Sequence, residues 1–473
     1  MEKNKYNLAI MTDSYKVSHY LQFPKDTKKL FYYGESRSKE EEILFFGLQA
    51  IIKEYFMEVP TLQQIEEAED FWKRHGFPDI FNYEGWKRVS QMGYLPIEIY
   101  AAPEGMVIPS GHILFSVVNT EEEFYWLPGW IETLLMQVWY PITVATNSFK
   151  ARKIIMKYLQ ETADNLEGLP FKLHDFGYRG VSSYQSAMIG GMAHLVNFMG
   201  TDTTAGIEGA WKWYDPEGKK EMPAFSIPAS EHSTITSWGR KHEKEAFENM
   251  LNNFAKPGRI MACVSDSYDI WRAVSELWGE QLRQKIIESG ATIVVRPDSG
   301  DPVETPIKVV ELLDEKFGSK INSKGYKILN HVRVIQGDGI TINDMEKILY
   351  GLKLKGYSAD NIAFGMGAGL LQKLNRDTYK FAFKCSARFD GQRWHPVYKQ
   401  PVTAPWKKSK KGLLTLIKSP ENGFETVSTL DPNATGVLPK LKVLRPIFRN
   451  GKLLIDENFS TIRNRISNNN NLK

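Results

Sequence analysis

The segment TIVVRPDSGDP, residues 292–302, joins a short run of β-branched residues to a turn carrying a guanidinium, two carboxylates and a glycine. The run reads as a buried strand, and Pro297, Gly300 and Pro302 end it at once. The same arrangement recurs between about residue 170 and about residue 370: an apolar β-rich run, a cluster of Gly, Ser and acidic residues, then usually a helical pattern. Runs at 171–173, 195–198 and 224–227 lead into HDFGYRG, MGTDTTAG and PASEHST. Runs at 260–264, 332–335 and 362–364 lead into SDSYD, QGDG and GMGAG.

Strands that alternate with helical stretches pair in parallel through right-handed crossovers, because parallel neighbours need a long connection. Seven such units predict an α/β fold with a β/α barrel-like domain. In such barrels the chemistry gathers at the C-terminal ends of the strands, where His174, Asp202, His232, Asp266, Asp298 and Asp338 fall. The flanks read differently. Residues 1–145 mix strand and helix signals and end in the aromatic segment FYWLPGWIETLLMQVWYP, which has the length and period of a buried helix. After Cys385 short β segments return. A second, mainly β domain is therefore expected from both ends of the chain, 1–145 with 386–465, beside a catalytic domain at 146–385 and a disordered tail at 466–473.

A chain of 473 residues exceeds one ordinary core. Lys plus Arg number 60 against 56 Asp plus Glu, so no strong field of one sign argues for nucleic acid or an anionic membrane. Cys263 and Cys385 follow no metal or redox spacing. The N-terminal apolar stretch is broken by Thr12 and Asp13, and no apolar run approaches the roughly 20 residues of a spanning helix, so a cytoplasmic protein is expected.

Several turns carry chemistry. Arg296, Asp298 and Asp301 suit a polyphosphate with bound Mg²⁺. Gly337-Asp338-Gly339 and Gly365-Met366-Gly367-Ala368-Gly369 let backbone N–H groups approach anionic oxygens, yet neither fits the P-loop or the dinucleotide fingerprint. Phe176, Tyr178 and Arg179 pair an aromatic face with a cation, a combination equally at home in core packing. Glu231-His232 sits at the common edge, and the run KKSKK at 407–411 reads mostly as a solvated loop with one lysine in reach of phosphate. Read from the residues alone, this is a phosphate-handling β/α enzyme.

Taken together, TDSYK (12–16), FFGLQ (45–49), WYPITVATNS (139–148), KLHDFGYRGVSS (172–183), GTDT (200–203), EHSTIT (231–236), SDSYDI, RPDSG, VIQGDG and FKCS closely resemble the nicotinamide phosphoribosyltransferase family, from near the N-terminus to about Gly412. That resemblance implies a type II phosphoribosyltransferase fold and a homodimer with shared active sites. It also implies transfer of the phosphoribosyl group of phosphoribosyl pyrophosphate to nicotinamide, giving nicotinamide mononucleotide and pyrophosphate in NAD salvage, with Mg²⁺ and with ATP as co-substrate.

Residue by residue, the resemblance implies that Phe176 and the partner subunit's Tyr15 sandwich the ring, with Asp13 and Ser226 also at the substrate. Asp202 would accept from the carboxamide, and Arg179, Arg296 and Asp298 would surround ring, ribose and phosphates. Gly337, Asp338, Gly367 and Ala368 would hold the 5′-phosphate and ribose, with Ser265 and Asp269 nearby. Arg37, Arg376, Lys384, Lys399 and Lys407 match phosphate-binding cations. Asp298 and Asp338 are the expected metal contacts, and His232, beside Glu231, matches a histidine phosphorylated by ATP. Two departures stand out: Met366-Gly367-Ala368-Gly369 replaces SGGG, placing a methyl in the phosphate loop, and Lys408 stands where some relatives have Arg. A nicotinate phosphoribosyltransferase and a non-catalytic dimeric binding protein are the alternatives, and Asp202 is what separates the first of these.

Overall fold

The computed structural model describes residues 5–39, 41–337, 339–403, 408–421, 423–430 and 441–470. Asp338 and Lys407 thus lie outside the described residues. The chain forms two compact units, one from residues 1–146, 210–220 and 375–473, the other from 147–209 and 221–374.

The first unit is built on a seven-stranded sheet in which every neighbouring pair is antiparallel, in the order Trp394–Pro396, Phe381–Phe389, Lys29–Ser36, Ile113–Asn119, Ile97–Ala101, Arg445–Arg449, Lys452–Leu453. Early and late segments of the chain interleave in it. The chain re-enters this unit at Asn375, where the sequence reading put the change at 386, because Phe381–Phe389 is one of its central strands. Several helices accompany the sheet, beginning with Leu48–Tyr55. Thr61 and Gln64 cap Leu62–Arg74 with a capping box, and Asn82 caps Tyr83–Met92, which stops at left-handed Gly93. The buried rings of Trp86, Trp126 and Trp130 meet edge to face at 5.2–5.9 Å. The aromatic segment expected to form one buried helix is instead broken at 131 and at 137–138 into Leu127–Trp130, Glu132–Met136 and the start of Trp139–Thr162, with Pro128 in the first turn of the first piece.

The expected disordered tail is also corrected. The helix Phe459–Asn470 extends through residue 470, and Phe459, Ile462 and Ile466 are buried at helical spacing. Asn458 receives the Thr461 N–H, and Arg465 makes a paired contact with Glu457. Residues 471–473 lie outside the described residues.

The second unit contains the predicted β/α repeat. Its strands are β1 (Leu173–Asp175), β2 (Gly200–Thr201), β3 (Ile260–Val264), β4 (Thr292–Arg296), β5 (Val332–Gln336) and β6 (Ile362–Met366). They form a parallel sheet in the order β2-β1-β6-β5-β4-β3. The free edges are bridged by one segment: Phe225 pairs with Gly200 and Ala229 with Ala262, both in parallel. The run at 224–227 is therefore the staple of the ring rather than a full strand. The run at 195–198 is not a strand, because Tyr184–Leu195 is helical and β2 begins only at Gly200. Helices such as Glu304–Phe317 and Ile342–Leu354 carry the chain between strands, each burying one apolar stripe.

Candidate active site

The turns after β1, β2, β4, β5 and β6, with the segment after the staple, converge on a cavity of about 670 Å³ lined by Phe176, Tyr178, Arg179, Asp202, Glu231, His232, Ser233, Arg296, Asp298, Gly337 and Gly367. Apart from Glu231, His232 and Ser233, which follow the staple, each arrives at the end of a short parallel strand, so one sheet edge collects residues distant in sequence.

Two carboxylates flank the His232 ring. Nε2 lies 2.9 Å from Asp266 Oδ1, and Nδ1 lies 3.7 Å from Asp298 Oδ2. The first is a hydrogen bond and the second is too long to be one. A carboxylate only accepts, so in the neutral ring the proton belongs on Nε2 and the lone pair on Nδ1. Asp266 is almost fully buried and also accepts the Ser299 hydroxyl, which joins the β4 turn to the histidine. Asp298 Oδ1 is held by Arg296 through Nε at 3.0 Å and Nη2 at 2.8 Å. Arg179 Nη2 reaches Glu231 Oε2 at 3.7 Å, and the Ser233 hydroxyl donates to the other oxygen of Glu231.

A ring slot adjoins these groups. The Arg296 guanidinium stands 5.6 Å from the centroid of Phe176, and the ring is seated against glycines. A Cβ on Gly365 would sit 2.0 Å from the ring, and one on Gly337 would sit 3.1 Å from it. Side chains at these positions would therefore displace it. Across the slot Ser226 Oγ donates to Asp202 Oδ1 at 2.6 Å. Phe176 and Asp202 also line a second, mostly apolar cavity of about 590 Å³ inside the strand ring, with His174, Ala262, Val294 and Ile335 among its walls. Burial holds the His174 imidazole below its ordinary value, opposed by Asp202. At the other end Lys172 donates to the carbonyls of Ala359, Asp360 and Ile362 at 3.0–3.1 Å, and burial brings its ammonium down to about 8.

Not every expected residue joins the cavity. Ser265 is fully buried, its hydroxyl donating to Cys263 O and accepting from Trp278 Nε1, so it is committed to the core. Asp269 caps the turn Ile270–Arg272 by accepting two backbone N–H groups. The Ala368 methyl lies against Gly180, where an added Cβ would approach it at 3.3 Å. Asp13, Tyr15, Arg37, Arg376, Lys384 and Lys399 belong to the first unit. There Tyr15 is 60 % exposed, and the Thr133 hydroxyl donates to Asp13. Arg37 keeps one buried Nη2 without a partner among the described residues. Burial and the charges of Arg37, Lys399 and Arg376 hold the Lys384 ammonium below its ordinary value, despite the opposing charge of Glu132. The residue whose role sequence reading missed is Asp266. It was legible as a strand-end acid, but only the fold shows that it meets His232.

Comparison with known proteins agrees along the chain. The Nicotinate phosphoribosyltransferase (NAPRTase) family matches residues 171–451, and the nicotinamide phosphoribosyltransferase N-terminal domain matches residues 7–99. A nicotinamide phosphoribosyltransferase of Xanthomonas campestris pv. campestris (strain 8004) is 50% identical over 462 residues, 97% of each chain. One from Acinetobacter baylyi is 32% identical over 494 residues, 96% of each. Among solved structures, the nicotinate-nucleotide pyrophosphorylase of Pyrococcus furiosus superposes with a TM-score of 0.62 at 14% identity over the whole of both chains. Human nicotinic acid phosphoribosyltransferase does so at 0.51 and 15% identity, over 97% of this chain and 93% of that one. These two likenesses speak for the fold.

Proposed function

This chain belongs to the nicotinate phosphoribosyltransferase family, together with the nicotinamide phosphoribosyltransferases, and from that premise we propose that it transfers the phosphoribosyl group of phosphoribosyl pyrophosphate to nicotinamide. It is a pentosyltransferase by that membership. The observation that carries the choice of ring is the Asp202–Ser226 pair: one carboxylate oxygen takes the serine hydroxyl, leaving the other to accept from a carboxamide N–H. A nicotinic acid carboxylate about 4 Å away would be repelled by roughly 4 kcal/mol at an effective dielectric of 20.

In the reaction proposed, the ring nitrogen bonds to the anomeric carbon as the bond to pyrophosphate breaks, through an oxocarbenium-like state. The protein's task is to hold the ring in line and stabilise the departing charge. Phe176 would stack the ring, and the partner subunit's Tyr15, exposed in this chain, would cover it. Arg179 and Arg296 would face the phosphates, and Arg37, Arg376, Lys384, Lys399 and Lys407 would add cations, with the unpartnered Arg37 Nη2 the best-prepared donor. No group of three or more His, Cys, Asp or Glu that could hold a metal occurs among the described residues. Mg²⁺ would enter as an ion carried by the polyphosphate substrate, and Asp298 and Asp338 would contact it directly or through water.

His232 supports coupling to ATP. Its Nδ1 lone pair would attack the γ-phosphorus, forming an N–P bond as the P–O bond to ADP breaks, while Asp266 holds the Nε2 proton. Negative charge placed there would act on the neighbouring pyrophosphate site. No helix of the described residues is long and apolar enough to cross a membrane. The test is product formation from each ring substrate, with and without ATP. Turnover of nicotinamide with formation of a phosphohistidine supports the reading, and turnover of nicotinic acid alone overturns it.

A further inference from the structure

Both walls of the ring slot are tied to one buried acid. Asp175, the last residue of β1, is fully buried. Its Oδ1 accepts the Gly177 N–H at 2.7 Å, fixing the turn that presents Phe176, and its main-chain carbonyl accepts the Asp202 N–H at 2.9 Å. Its Oδ2 is buried beside the Thr203 hydroxyl, and neither forms a well-aligned hydrogen bond among the described residues. A carboxyl left half-satisfied in the interior is costly to keep, and it stands directly behind the residue that reads the substrate.

We propose that Asp175 is a specificity-determining residue, a second negative charge behind Asp202 that sharpens the rejection of anionic rings when it is ionised. This rests on the reading of Asp202 as the group that meets the carboxamide. Burial is the main cause that pushes the Asp175 carboxyl up to about 7; the Gly177 N–H and the Thr203 hydroxyl pull it down, and the Asp202 charge raises it. Among the described residues, Asp202 is the charged group that acts on it. Met366 on β6 and Leu371 on the short helix beyond it are apolar, and His174 lines the interior cavity. Below neutral pH the acid carries its proton, and above it the slot gains a charge. Nicotinamide is indifferent to that charge. Nicotinic acid, ionised throughout this range, is repelled by two carboxylates instead of one.

The experiment lets the two rings compete for the full-length enzyme from pH 6 to 8.5 and records the ratio of their kcat/KM values, in which shared titrations cancel. The ratio should climb about tenfold in favour of nicotinamide, the order expected of a unit charge several ångströms away in a partly polar interior. In Asp175→Asn, whose carbonyl still accepts the Gly177 N–H, the climb should vanish. Thr203→Val is a second variant that does not depend on how Asp175→Asn folds; losing the hydroxyl should move the midpoint to higher pH. A nicotinamide preference that is flat with pH in the wild type overturns the role of Asp175 and leaves that of Asp202 standing. A climb unchanged in Asp175→Asn, or a midpoint unmoved in Thr203→Val, does the same. A wild type with no preference at any pH removes the Asp202 reading and this one with it.

Discussion

His232 Nε2 and Asp266 Oδ1 stand 2.9 Å apart, and the second oxygen of the same carboxylate accepts the Ser299 hydroxyl. One buried acid therefore sets the tautomer of the histidine and ties it to the turn that carries Arg296 and Asp298. Asp266→Asn keeps the shape but can present an N–H to Nε2, favouring the wrong tautomer. Labelling by [γ-³²P]ATP after rapid quench should fall about a hundredfold or more. Ser299→Ala should give a smaller loss in the same assay. Undiminished labelling in Asp266→Asn would remove the acid from this role.

Gly365 is legible in the sequence only as part of a glycine run, and the structure gives it a different task. An added Cβ would lie 2.0 Å from the Phe176 ring, so Gly365→Ala must push the ring out of the slot. KM for nicotinamide should rise at least tenfold, with a stability cost of about 1–3 kcal/mol. Gly337→Ala, at 3.1 Å, should follow the same direction more mildly. Steady-state kinetics at saturating phosphoribosyl pyrophosphate separates this from a general loss of activity.

Acid stability of the first unit should depend on Glu54. Its side chain is 5% exposed and receives Lys5, Tyr6, Lys212 and Trp213. Burial alone would raise its carboxyl, but these donors outweigh burial and bring it from 4.5 to about 2. A depressed carboxylate stabilises the fold fully above the ordinary value and loses that contribution as pH falls from about 4.5 through about 2. The amount is about 3 kcal/mol. Urea unfolding at pH 6 should show Glu54→Gln less stable than the wild type by this order, and the gap should shrink by pH 3. A gap independent of pH would contradict the assignment.

The C-terminal helix should also count. Phe459 packs 6.2 Å from Phe46 and 6.0 Å from Tyr214, and Ile466 is 1% exposed. Ile466→Ala should cost about 2–4 kcal/mol, read as a lower urea midpoint.

The strands Ile260–Val264, Thr292–Arg296, Val332–Gln336 and Ile362–Met366 were legible because parallel strands buried on both faces leave continuous apolar runs between Gly and Asp turns. β2 was misplaced for a physical reason. It is two residues long, and the apolar run before it belongs to the end of a helix. The staple at 225–229 pairs through single bridges, so its periodicity says little. The tail was misread because polar composition outweighed a three-residue apolar stripe, Phe459, Ile462 and Ile466. Among the expected site residues, Phe176, Asp202, Arg296, Asp298 and Gly337 line one cavity beyond the strand ends, whereas Ser265 and Asp269 make core and capping contacts that no motif spells out.

The central claim is that Asp202, held by Ser226, selects the amide ring. Its most direct test is product formation by the purified protein with phosphoribosyl pyrophosphate, Mg²⁺ and ATP and with nicotinamide or nicotinic acid, in the wild type and Asp202→Ser. Nicotinamide mononucleotide from the wild type alone, with nicotinic acid admitted by the variant, is the result this account predicts. Preference for nicotinic acid in the wild type, or a nicotinamide preference untouched in Asp202→Ser, would contradict it.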